Sequence, residues 1–309
     1  MRKAFVDSLI QLAAVDDRIV LLTGDLGFMA LESFERRFPS HFINVGVAEQ
    51  NMIGVATGLA EAGFIPYAYS IAPFAALRPL EFIRNGPVRH RLPVRVVGMG
   101  MGFEYGHSGP THYALEDIGA LRTLNGLTIV APADSQQAAT AIRATAFLPG
   151  PIYYSLGKND NYVVHGLNGA FRLGELQTVR HGGDVAILSM GGITVEAVAA
   201  ADELERQGIS ATVAVVSAFS PDPDDDVAEL LSRVDSVITL EAQSLSGGLG
   251  AYVSSVIATR GLRCRIWPLG VRNLPEGYSG SQQAMWALHG LDRRSVIQTV
   301  HEALAYSRC

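Results

Sequence analysis

Short, unbroken apolar runs alternate along this chain with stretches whose apolar residues recur at three- and four-residue spacing. Residues 19–23, 42–45, 94–99, 128–131 and 152–155 read as strands. Their hydrophobicity is continuous rather than alternating, which fits parallel strands covered on both faces. Between them, 3–14, 49–62, 81–88, 117–123 and 135–147 read as helices, the last with its cap region at Asp134 and Ser135. A second series begins at Asp184, with strands at 185–189, 211–216, 236–240 and 264–268 and helices at 194–207, 224–233, 249–259 and 292–305. The intervening stretch, 157–183, is polar, glycine-rich and weakly periodic, and reads as a connection. The expectation is an α/β protein of two doubly wound domains, a mostly parallel one at 1–165 and a smaller one at 184–309, joined by a linker at 166–183. Ligands of such sheets sit beyond the carboxyl ends of the strands. The loops after Thr23, Val45, Met99 and Ser155 are therefore the places to look for chemistry.

Composition changes this picture little. The 309 residues, 48% hydrophobic and 17% charged, supply large buried cores. A net charge of -6 argues against nucleic acid or anionic membrane as the main partner. The apolar runs are too short to cross a bilayer, and the start at Met1-Arg2-Lys3 leads into an amphipathic stretch rather than a signal-peptide core. Two cysteines, Cys264 and Cys309, make neither a disulfide framework nor a zinc site. A soluble cytoplasmic protein is expected.

Three strings occupy the expected strand ends. Gly24-Asp25-Leu26-Gly27 follows the first strand. Asn44-Val45-Gly46-Val47-Ala48-Glu49-Gln50-Asn51-Met52 follows the second and runs on through Ile53-Gly54-Val55-Ala56-Thr57-Gly58-Leu59-Ala60. Taken alone, Glu49 is a first-turn carboxylate of the kind the helix dipole favours. Gly106-His107-Ser108-Gly109-Pro110-Thr111-His112 lies beyond the strand at 94–99, where a loop histidine suits proton transfer as well as structural hydrogen bonding. The run Gly98-Met99-Gly100-Met101-Gly102 superficially suggests a phosphate-cradling loop, but without a following helix that pattern is weak evidence for one. Close approach of its backbone to a ligand is the expected use.

The string through Glu49 and the Gly-Pro-Thr-His element closely resemble the pyrimidine-domain signature of transketolases and 1-deoxyxylulose-5-phosphate synthases. The likeness continues in Glu241, Gly247-Gly248-Leu249-Gly250 and Gly290-Leu291-Asp292, which resemble the C-terminal domain of that family. The resemblance implies thiamine diphosphate as cofactor. Glu49 would bond N1′ of its aminopyrimidine and favour the imino tautomer whose exocyclic nitrogen deprotonates thiazolium C2. His112 would face C2 and bond substrate oxygen. Asp25 would lie near the cofactor, Phe74 and Ile71 would wall the pyrimidine, and the backbone at Gly100 would approach it. Arg2 and Lys158 would hold a substrate phosphate, Lys158 as a charge without the bidentate fork of the usual Arg.

The departures are equally specific. A family histidine twelve residues before His112 falls on Gly100. The Asp expected before Gly-Pro-Thr-His, which reads a substrate hydroxyl in that family, is Ser108, preceded by His107. A serine that often assists falls on Met29. These changes put the usual sugar phosphates in question.

The Gly-Asp-Gly motif that holds the diphosphate through Mg²⁺ does not occur, and in full-length members its domain precedes the signature found here. The expectation is a split enzyme. Mg²⁺ and diphosphate would sit on an N-terminal-type partner subunit in an α2β2 heterotetramer, inactive without that partner. The leading activity is transfer of a two-carbon ketol unit from a ketose or ketose phosphate to an aldehyde. Alternatives are the β subunit of a 2-oxoacid dehydrogenase, a deoxyxylulose-phosphate-synthase-like decarboxylating enzyme, and a non-catalytic scaffold. A Rossmann nucleotide-binding protein ranks low, because an early strand–GxGxxG–helix unit is missing.

Overall fold

The computed structural model describes residues 1–273 and 278–307. In chain order the strands are β1 (Ile19–Thr23), β2 (Phe42–Asn44), β3 (Ile65–Ile71), β4 (Arg95–Met99), β5 (Thr128–Val130), β6 (Ile152–Leu156), β7 (Gln177–Arg180), β8 (Val185–Ser189), β9 (Ala211–Val215), β10 (Ala218–Phe219), β11 (Ser236–Ser244) and β12 (Arg265–Val271). The helices of the first half are α1 (Arg2–Ala13), α2 (Glu32–Arg37), α3 (Glu49–Glu61), α4 (Ala72–Ala76), α5 (Leu80–Ile83), α6 (Asp117–Leu121) and α7 (Ser135–Thr145). Those of the second are α8 (Thr194–Arg206), α9 (Asp224–Leu231), α10 (Leu249–Arg260), α11 (Gln282–Leu288) and α12 (Arg293–Ser307).

Two sheets result, ordered β10-β5-β6-β4-β3-β1-β2 and β12-β11-β8-β9-β7. All pairings are parallel except those of β10 with β5 and β7 with β9. The unbroken hydrophobicity of the strands has its cause here. Leu22, Ala68, Val96 and Tyr153 point to the face covered by α3, α4 and α6. Their neighbours Leu21, Tyr67, Val97 and Tyr154 point to the face covered by α1 and α7. A strand with helices on both sides has no face left for polar residues. The first of these apolar layers continues through Ala186, Leu188, Phe219 and Val253, so the two halves share a core.

One buried polar group locks the sheet to a helix end. Arg95 is fully buried at the start of β4, and its guanidinium donates to the carbonyls of Ala146 (3.0 Å), Leu148 (2.5 Å) and Gly150 (2.5 Å). These are carbonyls that the end of α7 and the turn after it would otherwise leave unpaired.

Several elements differ from the sequence-based expectation. β3, at the centre of the first sheet, was not expected, because Pro66 and the mixed residues Tyr67-Ala68-Tyr69-Ser70 interrupt its apolar character. Pro66 is tolerated as the second residue of the strand. The helix expected at 81–88 is an α-helical turn followed by a π-helical segment, Arg84–Val88, with Pro87 inside it. The stretch expected as linker contributes β7, and β10 crosses from the second half to pair with β5. Helices α2, α4 and α11 are additional. Cys309 lies outside the described residues.

Candidate functional site

The chain runs from β1 outward to β2 and then back past β1 to β3, so the topological switch point lies at β1. Loops diverge there and leave a crevice at the carboxyl ends. Glu49 enters it as the first residue of α3, at 3% exposure. Gly24, just past β1, lies so close that an added Cβ would stand 3.4 Å from Gly46 O and 3.9 Å from Glu49 Oε1. Ser70, near the end of β3, donates its hydroxyl to Glu49 Oε1 at 3.2 Å. Arg78 Nη1 donates to Glu49 Oε2 at 2.9 Å, and Arg78 is 46% exposed. The same guanidinium lies over the Phe74 ring, 3.8 Å from its centroid. Phe74 meets His112 edge to face at 5.1 Å. A buried carboxylate, an aromatic face and an imidazole thus form a continuous wall, with Ile71 at the β3–α4 corner.

His112 ends a short 3-10 turn, and its Nδ1 lies 2.9 Å from Thr111 Oγ1. Opposite it stands Tyr105, ring centroids 6.2 Å apart. Gly100 has φ +89, and an added Cβ would fall 2.2 Å from Tyr105 Cε2, so the edge of the Tyr105 ring abuts the Gly100 backbone. Lys158 Nζ sits 4.5 Å from the centroid of the Tyr105 ring. Glu104 anchors the Lys158 loop by accepting from the backbone N–H groups of Lys158 and Asn159. Burial pushes the Glu104 carboxyl up to about 7 and raises the Tyr105 hydroxyl above its ordinary value.

The structure therefore gathers Glu49, Ile71, Phe74, Gly100, His112 and Lys158. Asp25 lies on the exposed side of the β1 turn, where Asn44 clasps it: Asn44 Nδ2 donates to Asp25 Oδ1 and Asn44 Oδ1 accepts from the Asp25 N–H, both at 3.0 Å. Arg2 lines a cleft of about 370 Å³ with Lys3, Met29, Ser33 and Asp160. His107 and Ser108 are exposed on the adjoining 3-10 turn. Sequence reasoning assigned no role to Ser70, Arg78 or Tyr105. The first two lie in the segment read as an aromatic wall, where the unforeseen β3 aims Ser70 at Glu49 and the chain after α4 brings Arg78 to it. Tyr105 is revealed only by its packing on a glycine.

Two features bear on cofactor fit. A buried carboxylate beside a half-exposed aromatic ring suits a flat, nitrogen-bearing ring such as an aminopyrimidine. Among the described residues no group of three or more His, Cys, Asp or Glu could hold a metal ion, and no helix is long and apolar enough to cross a membrane.

Comparison with known proteins agrees with this architecture. Residues 1–161 match the transketolase pyrimidine-binding domain and residues 174–296 the transketolase C-terminal domain. A putative transketolase C-terminal section from Methanocaldococcus jannaschii is 33% identical, the alignment covering 98% of this chain and 96% of that protein. A 6-deoxy-6-sulfo-D-fructose transketolase subunit from a Clostridium species is 35% identical, covering 98% and 94%. An apulose-4-phosphate transketolase subunit from Phocaeicola vulgatus is 31% identical, covering 97% and 96%. A solved split-gene transketolase, described as an inactive β4 tetramer, superposes with a TM-score of 0.89 at 32% identity and covers 98% of both chains. Matched in both domains and over nearly its whole length, this chain belongs to the transketolase family, among the β-type subunits of its split, thiamine-diphosphate-dependent enzymes.

Proposed function

We propose that this chain supplies the pyrimidine-binding half of a split transketolase that moves a two-carbon ketol unit from a ketose donor to an aldehyde acceptor. The observation that carries the proposal is Glu49, a carboxylate 3% exposed at the switch point and joined through Arg78 to the Phe74 ring, which in turn meets His112. Thiamine diphosphate, when bound, supplies a nucleophilic thiazolium carbon that carries the two-carbon unit. Glu49 would exchange a proton with the pyrimidine N1′. Phe74 and Ile71 would hold the ring plane, Gly100 would lie in the wall beyond, and Asp25 would stand where the partner meets the β1 loop. His112 would hydrogen-bond the substrate carbonyl or hydroxyl oxygen and relay its proton.

Arg78 holds Glu49 and covers Phe74 in the free chain, so it would give way when the pyrimidine arrives. Arg2 and Lys158 would receive an anionic substrate tail, with His107 and Ser108 on the mouth of the same loop. Relatives named for sulfonated and phosphorylated sugars support an anionic tail. Relatives named as subunits support a partner. Mg²⁺ and the diphosphate are assigned to that partner, in an α2β2 assembly acting on sugars in the cytoplasm. The first unit, 1–165, would carry the cofactor wall. The linker, 166–183, would join it to the second unit, 184–309, which buttresses the His112 loop.

Reconstitution with a Gly-Asp-Gly-bearing subunit, thiamine diphosphate and Mg²⁺ tests the reading. Ketol transfer between ketoses and aldehydes is expected. Decarboxylation of pyruvate without ketol transfer would instead favour the 2-oxoacid or deoxyxylulose-phosphate-synthase-like alternative. Full activity of a Glu49→Ala complex would leave only a scaffold role.

A further inference from the structure

We infer that Tyr105 contacts the substrate and sets its specificity, donating its phenol to a substrate hydroxyl in place of the side chains absent at Gly100 and Ser108. This deepens the ketol-transfer reading and rests on it. Gly100 follows β4, and the space above it is filled, because a Cβ there would lie 2.2 and 2.4 Å from the Tyr105 Cε2 and Cδ2 atoms. Any side chain at Gly100 would have to share that space with the ring. The ring therefore takes the wall position that a histidine at Gly100 would otherwise hold.

Tyr105 neighbours both of the groups to which substrate contacts are assigned. His112 is 6.2 Å away between centroids and is itself in contact with Phe74. Lys158 Nζ sits 4.5 Å from the Tyr105 ring centroid, and the charge of Arg2 acts on the phenol. Tyr105 thus links the imidazole assigned to the reacting end of the substrate with the two cations assigned to its tail. A polyol reaching from one to the other would meet the phenol.

Tyr105 is half-buried, yet its hydroxyl makes no hydrogen bond with any described residue. A phenol can both donate and accept, and this hydroxyl is not among the buried unpartnered atoms, so it is open to a ligand in the crevice. Ser108, which occupies the position of the hydroxyl-reading carboxylate, is exposed on the turn that begins just after Tyr105. Tyr105, half-buried beside His112, is the candidate to read a hydroxyl beside the new carbon–carbon bond.

The test separates hydroxyl recognition from general damage. The chain is reconstituted with its partner, thiamine diphosphate and Mg²⁺, with hydroxypyruvate as two-carbon donor. Glyceraldehyde and propanal, equal in carbon count and differing in hydroxyl groups, serve as acceptors. The parent is expected to prefer glyceraldehyde. Tyr105→Phe should lower kcat/KM for glyceraldehyde about tenfold, the worth of one lost hydrogen bond, and leave propanal within about twofold. Tyr105→His, which restores a donor, should recover part of the preference. Equal melting temperatures for all three proteins verify the fold. Retained preference in Tyr105→Phe, equal losses on both aldehydes, or a parent without preference each overturns the inference while leaving ketol transfer standing. A parent complex that forms no ketose product removes both readings together.

Discussion

Replacing Arg78 by alanine should have opposite effects on two measurable quantities. In the free chain, Arg78 Nη1 lies 2.9 Å from a Glu49 carboxylate that is 3% exposed, and Ser70 is its other side-chain partner. At an effective dielectric constant of about 20, such a pair attracts by roughly 4 kcal/mol before costs. Arg78 is 46% exposed, so solvent screening and side-chain entropy offset much of that, and the net contribution should fall near 1–2 kcal/mol. Arg78→Ala should therefore reduce the free energy of unfolding of the isolated chain by about that amount, read by urea denaturation.

If the pyrimidine of thiamine diphosphate displaces Arg78 from Glu49 and Phe74, removing the arginine removes a competitor. The free state alone then loses stability. The reconstituted pair should bind thiamine diphosphate more tightly, by about 5- to 30-fold for the same 1–2 kcal/mol. Isothermal titration of the cofactor into the Mg²⁺-loaded pair reads this directly. Weaker binding by the variant would show that Arg78 stays on Glu49 in the holo enzyme, and the competition argument would be wrong.

Four further outcomes are expected. Glu49→Gln keeps one acceptor oxygen, for Ser70 or Arg78 but not both at their present positions, and cannot hold or release a proton, so turnover of the reconstituted pair should fall by at least about a hundredfold with the fold retained by circular dichroism. Arg95→Ala strands the carbonyls of Ala146, Leu148 and Gly150 in the interior and should cost about 3–5 kcal/mol in urea; a loss under about 1 kcal/mol would contradict the buried fork. Gly100→Ala meets both the positive φ and the Tyr105 ring and should destabilise by about 2–4 kcal/mol, with Tyr105→Ala in the same chain relieving the steric part but not the backbone part. Glu241 is fully buried, accepts from the Leu249 and Gly250 N–H groups at 2.7 and 2.8 Å, and is pushed by burial from 4.5 up to about 7. Between those values the folded chain holds a proton that the unfolded chain has released, so its stabilising contribution is complete below about pH 4.5 and declines as pH rises through about 7. Glu241→Gln should flatten this decline by roughly 2–3 kcal/mol between pH 5 and 8, measured as urea midpoints across that range, and an unchanged slope would refute the assignment.

The sequence alone carried the class of fold and the place of the central carboxylate. Runs such as Ile19–Thr23 and Ile152–Leu156 are legible as strands because both of their faces are covered, so every position must be apolar. Glu49 is legible because it opens a helix directly after a strand, where an α/β sheet exposes ligand sites. β3 was lost to Pro66 and to small and polar residues, although it is the strand that aims Ser70 and, through α4, brings Phe74 and Arg78 to the site. β10 has two residues, too few to show any period, and owes its existence to pairing with β5.

What one polypeptide stretch settles by itself is which side chains face inward, because burial on two faces imposes a pattern that survives in one dimension. Which groups meet across the crevice is a different matter. Arg78 and Glu49 are 29 residues apart, and Tyr105 finds Gly100 by folding back across a turn. Neither contact leaves a periodic trace, since each depends on strand order and loop geometry rather than on local composition. Tertiary structure alone therefore decided what holds Glu49 in the free chain and which ring occupies the space over Gly100.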